Sequence, residues 1–407
     1  MLCDVLVVDH TVTRVYAVAR KLLLGSLVHG TLSNPWKPKD ENCDRLFQTR
    51  QHALRTGTKC QQIAKSWRVA SDTDLGISTM PVFTISLVSV LAAIVSLASA
   101  QVVDDSQCDC YVTDGRFPTY YQNHGFWDFR SLSRCAGVPP IIREVDGNLN
   151  ANVTCSLFDW SHPFTDFWAP QHWTNANKTF PMVVTYNNLY IEHNPGGRRD
   201  HQRHDTFLTM RTSRLPGFQT AAELQSIHKL DHASVRMLAR THGSPGACTS
   251  VFTYLGAKRL RDVQESDVEM LTRESAATAI HYTNQPSYLE DGTLITGAAY
   301  AATLPNGRCW SDWITHRLDW TPGRTTFSVD GVQSHTQTFQ APRDPSYVLL
   351  NAWSDGGVWT GQMREGGEAF QNVQWIEMLY NLLPAGAQCN RTCSIDKSPQ
   401  VGKPVHV

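Results

Sequence analysis

Glu265, Asp267 and Glu269 stand at i, i+2 and i+4 in the run Val263-Gln264-Glu265-Ser266-Asp267-Val268-Glu269-Met270-Leu271. Successive side chains of a β-strand point to opposite faces, so in a strand all three carboxyls share one face while Val268 and Met270 share the other. Three like charges in a row repel one another, and an ordinary solvent-facing strand interleaves cations. What such a row offers is acid–base chemistry. One carboxylate attacks an acetal carbon, while a second gives a proton to the leaving oxygen and then takes one from water. On a straight strand the Cα atoms of Glu265 and Glu269 are about 13 Å apart. Inward lean of both side chains on a concave sheet brings the carboxyls towards the roughly 5–5.5 Å that a double displacement needs. Asp267, between them, can share a proton with one neighbour and keep the other charged. A solvated acidic strand and a calcium-ligand set are the competing readings of the same residues.

The elements around this row read as short strands joined by turns. Alternating or β-branched runs bounded by Gly, Pro, Asn and Asp cover Val183 to Glu192, Phe207 to Thr212, Ala233 to Arg240, Thr249 to Leu255, Val263 to Thr272 and Ala279 to Thr283. They continue over Trp313 to Trp320, Thr325 to Val329, Ser346 to Trp353 and Val373 to Tyr380. Runs of this length with no sustained helical period predict an all-β antiparallel sandwich. Asp330-Gly331, between Val329 and Val332, predicts a tight hairpin. His201 and His204, in the polar loop Asn194 to Asp205, read as solvated surface.

The order of these blocks resembles glycoside hydrolase family 16, whose catalytic strand carries E-x-D-x-E, here in its unbulged form. Ala233 to Tyr254 is similar to the strand pair that precedes the motif, and Ile280-His281-Tyr282-Thr283-Asn284 to the strand that follows it. Thr315-His316-Arg317-Leu318-Asp319-Trp320-Thr321-Pro322-Gly323 with Val329-Asp330-Gly331 resembles the family's H-x-x-x-D-W-x-P-G and V-D-G hairpin. Leu350-Asn351-Ala352-Trp353 resembles its cleft-lining N-x-W strand. The mature chain, from Cys108-Asp109-Cys110 and Asn123 to Arg130 onward, is most similar to secreted fungal members. The resemblance implies a β-jelly-roll (concanavalin A-like) sandwich of two antiparallel sheets with a concave substrate groove. It implies Glu265 as nucleophile, Asp267 as its modulator and Glu269 as acid/base. The substrate class it implies is β-glucan, β-1,3 or mixed β-1,3/1,4, with a cell-wall transglycosylase and a non-catalytic glucan-binding lectin as the other readings. Sugar faces stack on flat rings, so Trp353 with Asn351 is the first candidate for the groove, followed by Tyr282, Trp168 and Trp173, with His316 lining it. Trp320, Trp375 and Phe327 read equally well as core. No cofactor or metal is expected.

Composition sets the surroundings of that site. The 407 residues carry 36 Lys+Arg against 37 Asp+Glu, and 12 Trp, which excludes a polyanion-binding protein driven by net charge. Residues 81–100 carry no charge and end in Ala98-Ser99-Ala100, directly after Met80, the layout of a secretory signal. Residues 1–79 therefore read as a gene-model extension or a cytoplasmic tail with no assigned fold, and 80–100 as a signal peptide. A signal anchor is the alternative, since the stretch is long enough to span a bilayer. Residues 101–385 read as the catalytic domain and 386–407 as a C-terminal tail. Past residue 100 the chain has 25 basic and 30 acidic side chains, which suits a neutral polysaccharide partner and no nucleic acid. A monomer is expected, secreted if the signal is cleaved and otherwise anchored with 101–407 outside. Eight of eleven cysteines lie past the signal (Cys108, Cys110, Cys135, Cys155, Cys248, Cys309, Cys389 and Cys393), an even set that predicts up to four disulfides. Asn152, Asn177 and Asn390 head N-x-S/T glycosylation acceptors.

Overall fold

The computed structural model describes residues 101–115, 117–175, 180–195 and 204–407. The segments 1–79 and 80–100, the acceptor Asn177 and His201 lie outside the described residues. In chain order the strands are β1 Cys110–Val112, β2 Tyr120–Asp128, β3 Trp168–Pro170, β4 Trp173–Asn175, β5 Met182–Val184, β6 Leu189–His193, β7 Thr206–Leu215, β8 Phe218–Ser226, β9 Ala233–Gly243 and β10 Cys248–Leu255. They continue with β11 Gln264–Leu271, β12 Ala279–Gln285, β13 Ala299–Thr303, β14 Ile314–Thr321, β15 Arg324–Val329, β16 Val332–Gln337, β17 Tyr347–Trp353, β18 Glu368–Leu382, β19 Thr392–Ser394 and β20 Val405–His406. The only helices among the described residues are short turns.

Two sheets pack face to face as a β-jelly roll. The front sheet runs β13-β12-β11-β10-β17-β8-β3, all antiparallel. The back sheet runs β16-β15-β14-β9-β18, and β18 then pairs with β7 along its first half and β2 along its second. β8 joins both sheets, bonding β7 at its start and β17 further on. Two pairings, β1–β19 and β5–β8, are parallel. The expected run Val183 to Glu192 is broken by a 3-10 turn at Tyr186–Asn188, capped by the Thr185 side chain. The Asp330-Gly331 hairpin forms as expected: both residues have positive φ, 47° and 76°, the geometry in which a two-residue turn follows strand twist.

Between the sheets lies one main core. Val251, Val268, Met270, Ile280 and Leu350 of the front sheet meet Leu208, Val235, Met237, Leu318 and Ile376 of the back sheet, all fully buried. Each such side chain contributes about 1.5–3 kcal/mol, and because the strand period is two, a one-residue slip of β11 would expel Val268 and Met270 and bury the carboxyls in the core.

The segment 386–407 is not a tail. β19 pairs with β1 and with β20, and the disulfides Cys108–Cys393 and Cys110–Cys389 tie this segment to the first described residues. A third, Cys135–Cys155, closes the loop before β3. These three bonds fit an oxidising compartment. Cys248 is a buried free thiol, so the even set does not pair off completely. Asn152 and Asn390 are exposed.

Beneath these segments, on the back sheet, lies a charge network whose centre, His124 and Glu377, is buried. His124 bridges Asp105 (Nδ1, 2.7 Å) and Glu377 (Nε2, 3.1 Å), while Arg236 grips Glu377 Oε2 from Nη2 at 2.7 Å and Nε at 2.9 Å. The Gly402 N–H donates to Glu377 Oε1 at 3.0 Å, and Asp396 pairs with Arg317 at 2.6 Å. Burial opposes the charge on His124, but the two carboxylates outweigh it and raise its pKa from 6.5 to about 9. Glu377 is lowered: the His124 and Arg236 contacts outweigh its burial. A raised histidine contributes its stability fully below the unfolded pKa and loses it as pH rises through the folded one; the lowered glutamate loses its share at the acid end. Thermal stability should therefore fall as pH is raised from 6.5 through about 9, and His124→Gln should flatten that slope. A melting-temperature profile unchanged by the substitution would remove His124 from this role.

Candidate active site

β11 places its side chains by strict alternation. Val268 and Met270 enter the core, so Glu265, Asp267 and Glu269 lie together on the outer face of the front sheet. Register extends the row across neighbouring strands: Glu269 lies opposite His281 on β12 and Ser250 on β10, Ser250 opposite Asn351 on β17, and Asn351 opposite Glu223 on β8. One line of side chains thus crosses five strands. Cys248, Ser250 and Phe252 of β10 share this face, because Val251 between them is core. Entry of the chain into β10 needs Gly246, whose φ is +104° and where a Cβ would lie 2.3 Å from the Met363 nitrogen.

Burial raises the pKa of all three β11 carboxyls. Asp267 is raised well above the ordinary carboxylate range, by burial and then by the charges of Glu265 and Glu269 on either side. It holds its proton and donates it in a hydrogen bond to Glu265, which favours the Glu265 anion against the burial that opposes it. The Gln285 side chain steadies Asp267 from β12. Glu269 is raised by burial and held by two donors on one oxygen: Trp359 Nε1 at 3.0 Å and the Cys248 thiol at 3.3 Å, both to Oε1. Burial still leaves Glu265 raised to about 8, so Asp267 distinguishes the two glutamates by bonding one of them, and the row can offer a carboxyl for attack and a carboxyl for proton donation on a single strand face. Among the described residues no group of three His, Cys, Asp or Glu side chains is placed to hold a metal ion.

Of the groove candidates, Asn351, Trp353 and Trp173 come together. Ser250 donates to Asn351 Oδ1 at 2.6 Å, Asn351 hydrogen-bonds Glu223, and Trp173 Nε1 donates to Glu223 Oε1 at 3.2 Å. Trp173 and Trp353 are half-buried against Met182, Val184 and Ala221. A ring stacking on a sugar face here should make Trp353→Ala weaken oligosaccharide binding by about 1–3 kcal/mol, on the scale of other flat ligands on aromatic rings. Calorimetry showing unchanged affinity in a folded variant would take Trp353 out of the groove.

Three candidates do not line it. Tyr282 lies opposite Val268, so alternation turns it inward, where it stacks on Phe327 at 4.4 Å and is 1% exposed. His316 belongs to β14 of the back sheet and is 1% exposed between Ile314 and Leu318 in the core; burial lowers its pKa to about 4. Trp168 is fully buried against Trp127 and Phe167. Trp320 and Phe327 are core as well.

Glu223, Trp359 and Cys248 were not expected at the site, Cys248 having been expected only as a disulfide cysteine, whereas it is free. Burial raises the Glu223 pKa to about 7, against the Trp173 and Asn351 bonds. Its segment Phe218-Gln219-Thr220-Ala221-Ala222-Glu223-Leu224-Gln225 is rich in helix formers; the available signal was the alternation of Ala222 and Leu224 with Glu223 and Gln225. Trp359 sits in an irregular loop after β17, which carries no periodic signal.

Residues 182–377 match the family described as glycosyl hydrolases family 16. Among curated relatives the chain is similar to the beta-glucanase of Paenibacillus polymyxa, 25% identical over 162 residues that cover 39% of this chain and 64% of the relative. It is similar also to the beta-glucanase of Paenibacillus macerans, 24% identical over 163 residues covering 39% and 65%. The match therefore spans just under two thirds of the length of these relatives. Among solved structures it is similar to the endo-beta-1,3-glucanase from Pyrococcus furiosus, 15% identical, TM-score 0.43, over 68% of this chain and 99% of that one. The matched residues contain β8 and β11, the strands that carry the groove carboxyls, and residues 182–377 are a glycoside hydrolase family 16 segment.

Proposed function

We propose that this protein is a retaining glycoside hydrolase that cleaves β-glucan, β-1,3 or mixed β-1,3/1,4, by double displacement. The observation that carries the reading is the β11 row, in which Asp267 donates to Glu265 while Glu269, raised by burial, is held from its other side by Trp359 and Cys248. Glu265 attacks the anomeric carbon, and Glu269 protonates the departing glycosidic oxygen. Glu269 then takes a proton from the water that releases the sugar from Glu265. Asp267 keeps its proton throughout and tunes the charge on Glu265. The names of the curated relatives, both beta-glucanases, support the substrate class. This chemistry uses carboxyls and water, so no cofactor is invoked. The disulfides support export of the domain from the cell.

The test is reducing-sugar release from laminarin and lichenan, with the product anomer followed by NMR early in the reaction. Release of the β-anomer first is expected. Inversion, or lengthened chains as the main product on both polymers, would overturn the hydrolase reading, as would binding without turnover.

A further inference from the structure

Cys248 stands apart from every other cysteine with a described partner: it is reduced, fully buried, and on the groove face of β10. Its sulfur meets one donor and two acceptors, of which the Thr249 carbonyl at 3.9 Å is the more distant. The Trp353 side chain hydrogen-bonds to it, and the thiol lies 3.3 Å from Glu269 Oε1. Since an indole N–H only donates, Trp353 occupies a lone pair of the sulfur and turns the S–H proton towards the carboxyl. Trp359 donates to that same oxygen at 3.0 Å. We propose that Cys248 is a positioning residue for Glu269: its thiol, oriented by Trp353, joins Trp359 in occupying Oε1 and so leaves Oε2 as the oxygen that carries the catalytic proton.

The proposal rests on the acid/base reading of Glu269. Its physical content is an asymmetry between protonation states. A thiol donor bonds a carboxylate more strongly than a carboxylic acid, so Cys248 favours the form of Glu269 that exists after the proton has left. Burial first, and then the charge of Glu269, raise the thiol pKa, so the donor persists across the working pH range. The same link joins the aromatic platform to the acid: Trp353, placed to meet a sugar ring, holds the sulfur that holds Glu269. Other titratable groups facing this pair are Glu265 and Asp267 on β11, Glu223 along the row on β8, and His281 on β12, which lies 3.6 Å from Glu274, itself 3.9 Å from Arg273. The thiol hydrogen-bonds Glu269 and none of these other groups, so a shift in the alkaline limb, which Glu269 sets, reports the thiol.

The test compares the pH profile of kcat/KM on glucan for the wild type, Cys248→Val and Cys248→Ser. Valine removes the donor and is one heavy atom larger than the buried thiol; serine keeps a donor. A hydrogen bond of ordinary net strength corresponds to about 0.4–1 pH unit, so Cys248→Val should move the alkaline limb upward by about that amount. Cys248→Ser should restore it. An alkaline limb that coincides with wild type in folded Cys248→Val, or that moves equally in Cys248→Ser, would overturn the proposal. Glucan activity surviving in Glu269→Gln would instead overturn the acid/base reading beneath it, so the two failures are distinguishable.

Discussion

Glu265→Gln should lower turnover of glucan and of activated aryl glycosides alike, by about 10⁴-fold or more, as loss of a covalent nucleophile does. The reason is the position of the residue in the reaction coordinate: a bond to the anomeric carbon must form whatever the leaving group. The amide nearly matches the carboxylate in shape, and Glu265 lies on the outer face of β11, away from the inter-sheet core, so the fold should persist. Stopped-flow burst amplitude on an aryl glycoside is the direct measurement. Appreciable turnover of either substrate by a folded Glu265→Gln would move the nucleophile elsewhere.

Glu269→Gln should separate the two substrates. General acid help contributes about 10²- to 10⁴-fold when the leaving group is a sugar alkoxide, so glucan hydrolysis should fall by that factor, while the first step on an aryl glycoside, whose phenolate leaves unaided, should survive. Deglycosylation should slow on both, because Glu269 is also the base that activates water, and the covalent intermediate should accumulate. Trp359 and Cys248 remain in place to hold the amide. An equal loss on both substrates, or a product of inverted configuration, would show that the roles of Glu265 and Glu269 are wrongly divided.

Several parts of the site were legible in the residues because they depend on period alone. A strand whose alternate positions are Glu265, Asp267 and Glu269 puts them on one face wherever it sits, and Val268 and Met270 require the opposite face to be core. Asn351 and Trp353 share a face by the same rule. The Asp330-Gly331 turn was legible because few residue pairs accept two positive φ values.

Which face of a neighbouring strand meets the groove was not legible, because it depends on register between strands distant in the chain. The resemblance block Ile280 to Asn284 was right in place. Yet pairing sets His281, not Tyr282, opposite Glu269. His316 failed in the same way: its block was located correctly, but β14 belongs to the back sheet. Glu223 was hidden by local propensity, since Ala221-Ala222-Glu223-Leu224 favours a helix in isolation and becomes a strand only between β7, β17 and β3. The 386–407 segment carries little periodic signal, and it is ordered by two disulfides and by the Glu377 and Asp396 contacts beneath it.

The amino-acid sequence by itself determined that a carboxyl row exists, that it lies on a strand with an apolar reverse face, and that the strands around it form a sandwich. All three follow from spacing within a few residues. Tertiary structure alone decided which oxygen of Glu269 is occupied, since that needs a thiol 21 residues earlier and an indole 90 residues later on the same atom. Interactions closed by the chain over such distances leave no periodic trace, because what brings them together is the pairing of whole strands.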